Sequence, residues 1–182
     1  KNHQIIIRAL AKLNNPNIHY AIAGVGDKKD DLLNLAKELN VREQLHLLGY
    51  RKDVPELYYS ADAFCFPSYR EGLSVALMEA MACGLPIVSS DLPFNEDILD
   101  ETNSLKIDPK DVNAVVDAIR LLKNNTAFRI KLANGSLEKA KELTLEKRAE
   151  KIIAYIFNCF NCLTIAMGFG IGNRQILQHC SS

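Results

Sequence analysis

Apolar positions in the first stretch, 2–13, recur at Ile5, Ile6, Leu10 and Leu13, the spacing of a helix with one buried face. The turn Asn14-Asn15-Pro16-Asn17 follows, and 18–23 (IHYAIA) then predicts a strand that runs into the glycine-rich turn Gly24-Val25-Gly26-Asp27. A charged amphipathic helix is expected over 29–39, a strand over 44–48 ending at Gly49, and a short helix over 54–60. The run 61–67 (ADAFCFP) is apolar and closed by a proline, as a buried strand would be. Leu, Met and Ala dominate 74–83, with Ser74 as N-cap and Gly84 and Pro86 as stop signals, so this is a helix. Residues 87–89 open the next strand. A loop over 91–95, a helical turn at 96–99 and a strand over 104–107 come next. Asp108-Pro109 introduces a strongly amphipathic helix over 111–122, and helices over 128–143 and 145–157 complete the pattern. Strands alternate with helices, which predicts an α/β fold: a doubly wound parallel sheet with helices on both faces.

A chain of 182 residues fits one domain, and Lys plus Arg equals Asp plus Glu at 22 each. A net charge of zero argues against a nucleic-acid groove, which needs a basic footprint. The first residues are charged and helical in pattern, unlike a secretory signal. Of the 5 cysteines, Cys65 and Cys83 fall in a predicted strand and helix as small buried hydrophobes. Cys159-x-x-Cys162 has no second pair and no nearby histidines, so no metal is expected there. This usage fits a reducing, cytoplasmic setting. The 4 histidines are scattered, and His3, near Lys1, is expected at a solvated helix start, with a place lining the site as the alternative.

The chemistry concentrates in 66–90. Glu71 and Glu79 bracket the helix, eight positions apart. If helical throughout, eight residues rise about 12 Å and return to nearly the same face, placing one acid two turns beyond the other. Hydrolytic carboxylate pairs stand about 5–5.5 or 6.5–9.5 Å apart, so the spacing suits one extended ligand gripped at two points better. A phosphate between them would meet the free N–H groups and positive end of the helix. A loop Glu and a solvated helix Glu account for the same spacing. Gly24-Val25-Gly26 lacks the third glycine and the later acid of a dinucleotide fingerprint.

The run Glu71-Gly72-x-x-x-x-x-x-Glu79-Ala80-Met81-Ala82-x-Gly84-x-Pro86 resembles the E-x7-E signature of the group 1 (family 4) glycosyltransferases. The resemblance covers residue 1 to about 157 and implies the C-terminal, Rossmann-like donor domain of a retaining, nucleotide-sugar-dependent GT-B enzyme. It implies that Glu71 holds the transferred sugar as the catalytic carboxylate and that Glu79 binds the ribose hydroxyls. Gly72, Leu73, Ser74 and Val75 would meet the diphosphate, and Lys1 would add a point charge there. Gly24 would lie near the donor, and Gly49, Tyr50 and Arg51 along the base. The donor would be a nucleoside diphosphate sugar, UDP-linked by expectation, and the acceptor a glycan or lipid-linked sugar of a cell-surface polysaccharide. No cofactor or metal is implied. The alternatives left open are a non-catalytic nucleotide-sugar binding module and another GT-B enzyme of the UDP-N-acetylglucosamine 2-epimerase-like kind.

In this family the acceptor sits on an N-terminal domain, and the first strand of the donor domain precedes the lysine. Neither is present, so the chain reads as part of a longer enzyme whose sheet lacks its first central strand. The cost of such a gap is unpaired backbone along two strands. The family pattern stops near 157, leaving 158–182 as an atypical apolar tail. Residues 152–172 carry no charge and are long enough to span a bilayer, although Asn158, Asn161 and the glycines interrupt the run. Three readings stay open for the tail: a membrane anchor, a strand over 163–168 that enters the vacant slot, or sequence foreign to the domain. The expected location is the cytoplasm, with peripheral association at the inner face of the cell membrane left open.

Overall fold

The computed structural model describes residues 1–71, 74–144, 146, 147, 150 and 153. The chain divides into two units, Lys1–Leu143 and Thr144–Ser182. In the second, residues 146, 147, 150 and 153 are helical, as the predicted 145–157 helix requires at those positions; the 158–182 tail lies outside the described residues.

Local signals become elements in the first unit. Helix α1 (His3–Leu13) stops at Asn14, whose left-handed backbone (φ 47°) returns its N–H to Leu10. Strand β1 (Tyr20–Ala23), helix α2 (Lys29–Glu38), strand β2 (Leu45–Gly49) and helix α3 (Val54–Tyr59) follow. Strand β3 (Phe64–Phe66) ends before Pro67, which cannot extend a ladder by donation. Helix α4 (Val75–Ala82) starts on Ser74, whose Oγ accepts from the Leu77 N–H, and ends through Gly84 at φ 74°. Strands β4 (Ile87–Ser90) and β5 (Ser104–Ile107) lead to α5 (Val112–Asn124) and α6 (Thr126–Ala140), capped by Asp111 and Asn125. The Asn125 cap starts α6 two positions ahead of the expected 128. The helical turn expected at 96–99 begins earlier, as a 3-10 turn at Pro93–Asn95. Its Asn95 is buried and donates to Ser89 Oγ at 2.7 Å, which draws the turn back onto the sheet.

All strand pairs are parallel, in two ladders: β1 with β2, and β3-β4-β5 in that order. Among the described residues no ladder joins β1 to β3, so the interruption falls where the sequence places it. Helix α1 spans it. Ile5, Ile6 and Ala9 pack with Val88, Ile107, Val115 and Leu132 beside the three-stranded sheet. Ile7 and Leu10, one step round the helix, pack with Leu32, Leu35 and Leu45 beside the two-stranded sheet. Tyr20 of β1 touches both clusters. On the other face of the three-stranded sheet, Phe66 and Ile87 meet Leu77, Ala80 and Met81 of α4. Strand β4 is buried at every position, with Ile87 and Val88 feeding opposite faces. Truncating a fully buried side chain such as Leu77 or Met81 to Ala costs about 2–5 kcal/mol.

Candidate functional site

Parallel strands deliver their following loops to one end of the sheet, and the candidate residues collect there. Asn2, with a left-handed backbone (φ 52°), donates its side-chain amide to the Pro109 carbonyl at 2.8 Å, and Tyr69 Oη reaches the same carbonyl at 3.3 Å. The loops after β3 and β5 and the residues before α1 are thereby tied together. Lys1 Nζ then lies 2.5 Å from Glu71 Oε1 and 5.4 Å from the centre of the Phe66 ring, within cation–π range.

Glu71 is largely covered, its side chain 18% exposed. Burial works against its charge, but the hydrogen bond from Lys1, the nearness of Ser68 and the positive charge of Lys1 outweigh it, and the carboxyl titrates below its ordinary range. Ser68 Oγ is buried without a partner of ordinary hydrogen-bond geometry. Nothing in the sequence singled out Ser68; only its placement after a buried strand gives it a role.

Glu79 stands on the fifth residue of α4, exposed, where Tyr58 Oη of α3 reaches its Oε2 at 3.4 Å. The two-turn rise expected between the acids is corrected here. The helix begins only at Val75 because Ser74 is extended (φ −88°, ψ 109°) and caps it, so Glu71 stands in the preceding loop and Glu79 little more than one turn in. The Ser74 cap and first turn of α4 lie between the two acids in the chain, and the backbone N–H groups of Ser74 and Val75 belong to this helix start. Gly72 and Leu73 lie outside the described residues.

Gly24 and Gly49 are brought together by a 2.7 Å hydrogen bond from the Gly24 N–H to the Gly49 carbonyl. Both have positive φ, 130° and 67°, and a Cβ on either would meet nothing within 4 Å, so conformation rather than space calls for glycine. Tyr50 is 74% exposed beside them. Arg51 is engaged by Asp53 through both carboxylate oxygens, a surface pair that raises the guanidinium pKa and lowers that of the acid.

His3 departs from the solvated helix start expected of it. Its Nδ1 meets Tyr20 Oη at 2.8 Å, and burial, helped by the N-terminal ammonium and Lys1, lowers its pKa to about 4. Burial pushes Tyr20 far above its ordinary value, and the Cys65 thiol up to about 12. The pair is half-buried, with Tyr20 packed against both core clusters. Among the described residues no group of three or more His, Cys, Asp and Glu side chains is arranged to hold a metal ion.

The family model described as "Glycosyl transferases group 1" matches residues 1–142. A Campylobacter jejuni relative, N-acetylgalactosamine-N,N'-diacetylbacillosaminyl-diphospho-undecaprenol 4-alpha-N-acetylgalactosaminyltransferase, is 30% identical over 158 residues, covering 86% of this chain and 43% of its own. An Escherichia coli relative, UDP-Gal:alpha-D-GlcNAc-diphosphoundecaprenol alpha-1,3-galactosyltransferase, is 28% identical over 139 residues, 75% of this chain and 36% of its own. Among solved structures, Anabaena HepE in complex with UDP aligns at a TM-score of 0.76 and 21% identity, over 86% of this chain and 45% of that one. The C-terminal domain of a glycosyl transferase group 1 family protein from Francisella tularensis aligns at 0.69 and 21% identity over 79% of each chain. These likenesses give the fold: the Rossmann-like half of the GT-B architecture. The chain spans less than half the length of these two curated relatives.

Proposed function

The chain belongs to the group 1 glycosyltransferases, and from that premise we propose that it is the donor-binding half of a retaining enzyme that uses a UDP-linked sugar. The observation that carries this reading is the helix start at Ser74, with the Lys1–Glu71 pair on one side and Glu79 on the other. The nucleotide would lie across the carboxyl ends of the strands. Glu79 accepts hydrogen bonds from the ribose hydroxyls, and Glu71 from hydroxyls of the transferred sugar. The amides of Ser74 and Val75 receive the diphosphate, and Lys1 adds a compact positive charge. Gly24 lies near the donor, and Gly49, Tyr50 and Arg51 border the base.

In the reaction the bond between the anomeric carbon and the diphosphate oxygen breaks, and a bond to an acceptor hydroxyl oxygen forms on the same face. The acceptor proton passes to the departing diphosphate oxygen, and UDP leaves. The protein's work is to stabilise negative charge growing on the leaving oxygen with donors already in place, each worth about 2.7–4 kcal/mol. No metal is needed in this scheme.

The Campylobacter and Escherichia relatives are named for transfer to diphospho-undecaprenol sugars. Their names support a lipid-linked or glycan acceptor here, held by a further domain, in synthesis of a surface polysaccharide. They also support a place at the inner face of the cell membrane. Among the described residues no helix is long and apolar enough to cross a membrane. Calorimetry with UDP tests the shared core of this reading: Glu79→Ala should weaken binding about 10-fold, equivalent to about 1.4 kcal/mol. Equal affinity would remove Glu79 from the site. Transfer from a panel of UDP-sugars by a protein that includes the acceptor domain separates an enzyme from a binding module.

A further inference from the structure

We infer that Tyr58 is a positioning residue for the nucleoside end of the site, holding the Glu79 carboxylate in the one orientation that meets a vicinal diol. This rests on the donor-site reading above and deepens it.

The ring of Tyr58 is fixed before its hydroxyl is considered. It packs against the cluster of Phe66, Leu77, Ala80 and Met81, and it meets Phe64 edge to face, with ring centres 5.8 Å apart at 77°. What emerges is the hydroxyl. It has two acceptors on α4, the Ala76 carbonyl at 3.2 Å and Glu79 Oε2 at 3.4 Å, so one proton is shared between a helix backbone and an exposed side chain. The anchor is therefore rigid at its ring, and its reach spans from α3 to α4.

Glu79 needs such an anchor. An exposed glutamate on a helix surface samples many rotamers, and each ligand that uses it must first restrict them. Tyr58 engages Oε2 only, so Oε1 and the free lone pairs of Oε2 remain for two neighbouring hydroxyls. Burial first, then the charge and hydrogen bond of Glu79, raise the Tyr58 pKa to about 12, so the hydroxyl stays a donor through the neutral range. Desolvating a phenol beside a carboxylate has no packing benefit over phenylalanine at this position. The Ala76 carbonyl anchors the hydroxyl, and its second acceptor, Glu79, is oriented by it.

The test is UDP binding measured against 2′,3′-dideoxy-UDP, which lacks the diol. For the unaltered chain, UDP should bind more tightly. Tyr58→Phe keeps the ring and removes the hydroxyl. It should weaken UDP about 3- to 10-fold and leave dideoxy-UDP unchanged, with the thermal midpoint retained. In a Glu79→Ala background the same change should have no further effect on UDP. A purely structural Tyr58 would weaken both ligands alike, and that outcome overturns the inference, as would a UDP preference that survives intact in Tyr58→Phe. If Tyr58→Phe fails to fold, Tyr58→Leu serves instead with the same two ligands: weakening confined to UDP supports the inference, and equal weakening of both overturns it. An unaltered chain that binds both ligands equally overturns the donor-site reading and this inference together.

Discussion

Lys1 Nζ and Glu71 Oε1 stand 2.5 Å apart, joining the first residue of the chain to the loop before α4. The charge proposed for the donor diphosphate and the acid proposed for its sugar thus offset each other. A ligand has to open or share this pair. Glu71→Gln should leave Lys1 free for phosphate, so UDP affinity should stay equal or rise by up to about 3-fold. The gain in affinity of a UDP-hexose over UDP should disappear, because an acceptor for sugar hydroxyls is lost. Calorimetry with both ligands decides this; an unaltered UDP-hexose gain would remove Glu71 from the sugar site.

The half-buried His3–Tyr20 pair sets an acid limit. A free histidine binds its proton near pH 6.5, whereas His3 in the fold holds out to about 4. The unfolded chain therefore binds more protons between these values, and stability present above pH 6.5 is lost as pH falls toward 4. The difference corresponds to at most about 3 kcal/mol, and the part-open setting reduces it to on the order of 2 kcal/mol. His3→Gln keeps an acceptor for Tyr20 and does not titrate. Urea midpoints at pH 7 and 4.5 should converge in that variant and diverge in the parent. Glu71 works in the same sense over a lower range: its depressed carboxyl favours the fold above about pH 4.5, and that contribution is lost as pH falls below it.

The comparison of sequence with structure divides along a physical line. Ser74, Gly84 and Pro67 act on their own neighbours in the chain, by capping, by a left-handed turn and by withholding an N–H. Each boundary they mark is where the sequence puts it. The separation of β1-β2 from β3-β4-β5 matches the two half-sheets expected from the strand order of a doubly wound sheet, which runs outward from a central strand rather than along the chain. What stayed hidden depends on packing between distant elements. His3 meets Tyr20 because α1 bridges two ladders, and Tyr58 meets Glu79 because Phe64 fixes its ring. No local spacing encodes either pair. The same reason undid the two-turn separation of Glu71 and Glu79: spacing counts residues, while the cap decides how many are helical.

Gly84 closes α4 with φ 74°, and an added Cβ would lie 3.3 Å from Leu137 Cγ and Cδ1. Leu137 is 40% exposed and can move aside, so the backbone dominates the cost. Gly84→Ala should lose about 1–2 kcal/mol, the price of a left-handed alanine. Gly84→Asn should lose less, because asparagine tolerates that conformation. For a chain of this length about 2–4 °C of thermal midpoint accompanies each kcal/mol. Asn no better than Ala would assign the cost to Leu137 instead.

Gly135 poses the opposite case and reverses an ordinary rule. In the middle of an exposed helix, Gly→Ala gains about 1 kcal/mol. Gly135 lies within α6 where the helix rests on the backbone leading into β5: a Cβ built there would stand 2.0 Å from the Thr102 carbonyl oxygen and 2.7 Å from its carbon. Those are main-chain atoms with no rotamer to yield. The next residue, buried Ser136, reaches the Asn103 carbonyl at 3.4 Å, and Asn103 is itself buried and bonded to Ile98. Relief therefore requires α6 to lift away from this corner and break those contacts. Gly135→Ala should cost about 3 kcal/mol or more, the upper range for overpacking. Chemical denaturation of the two chains measures it directly, and an alanine variant as stable as the parent would mean that α6 does not press on Thr102 as closely as the structure has it.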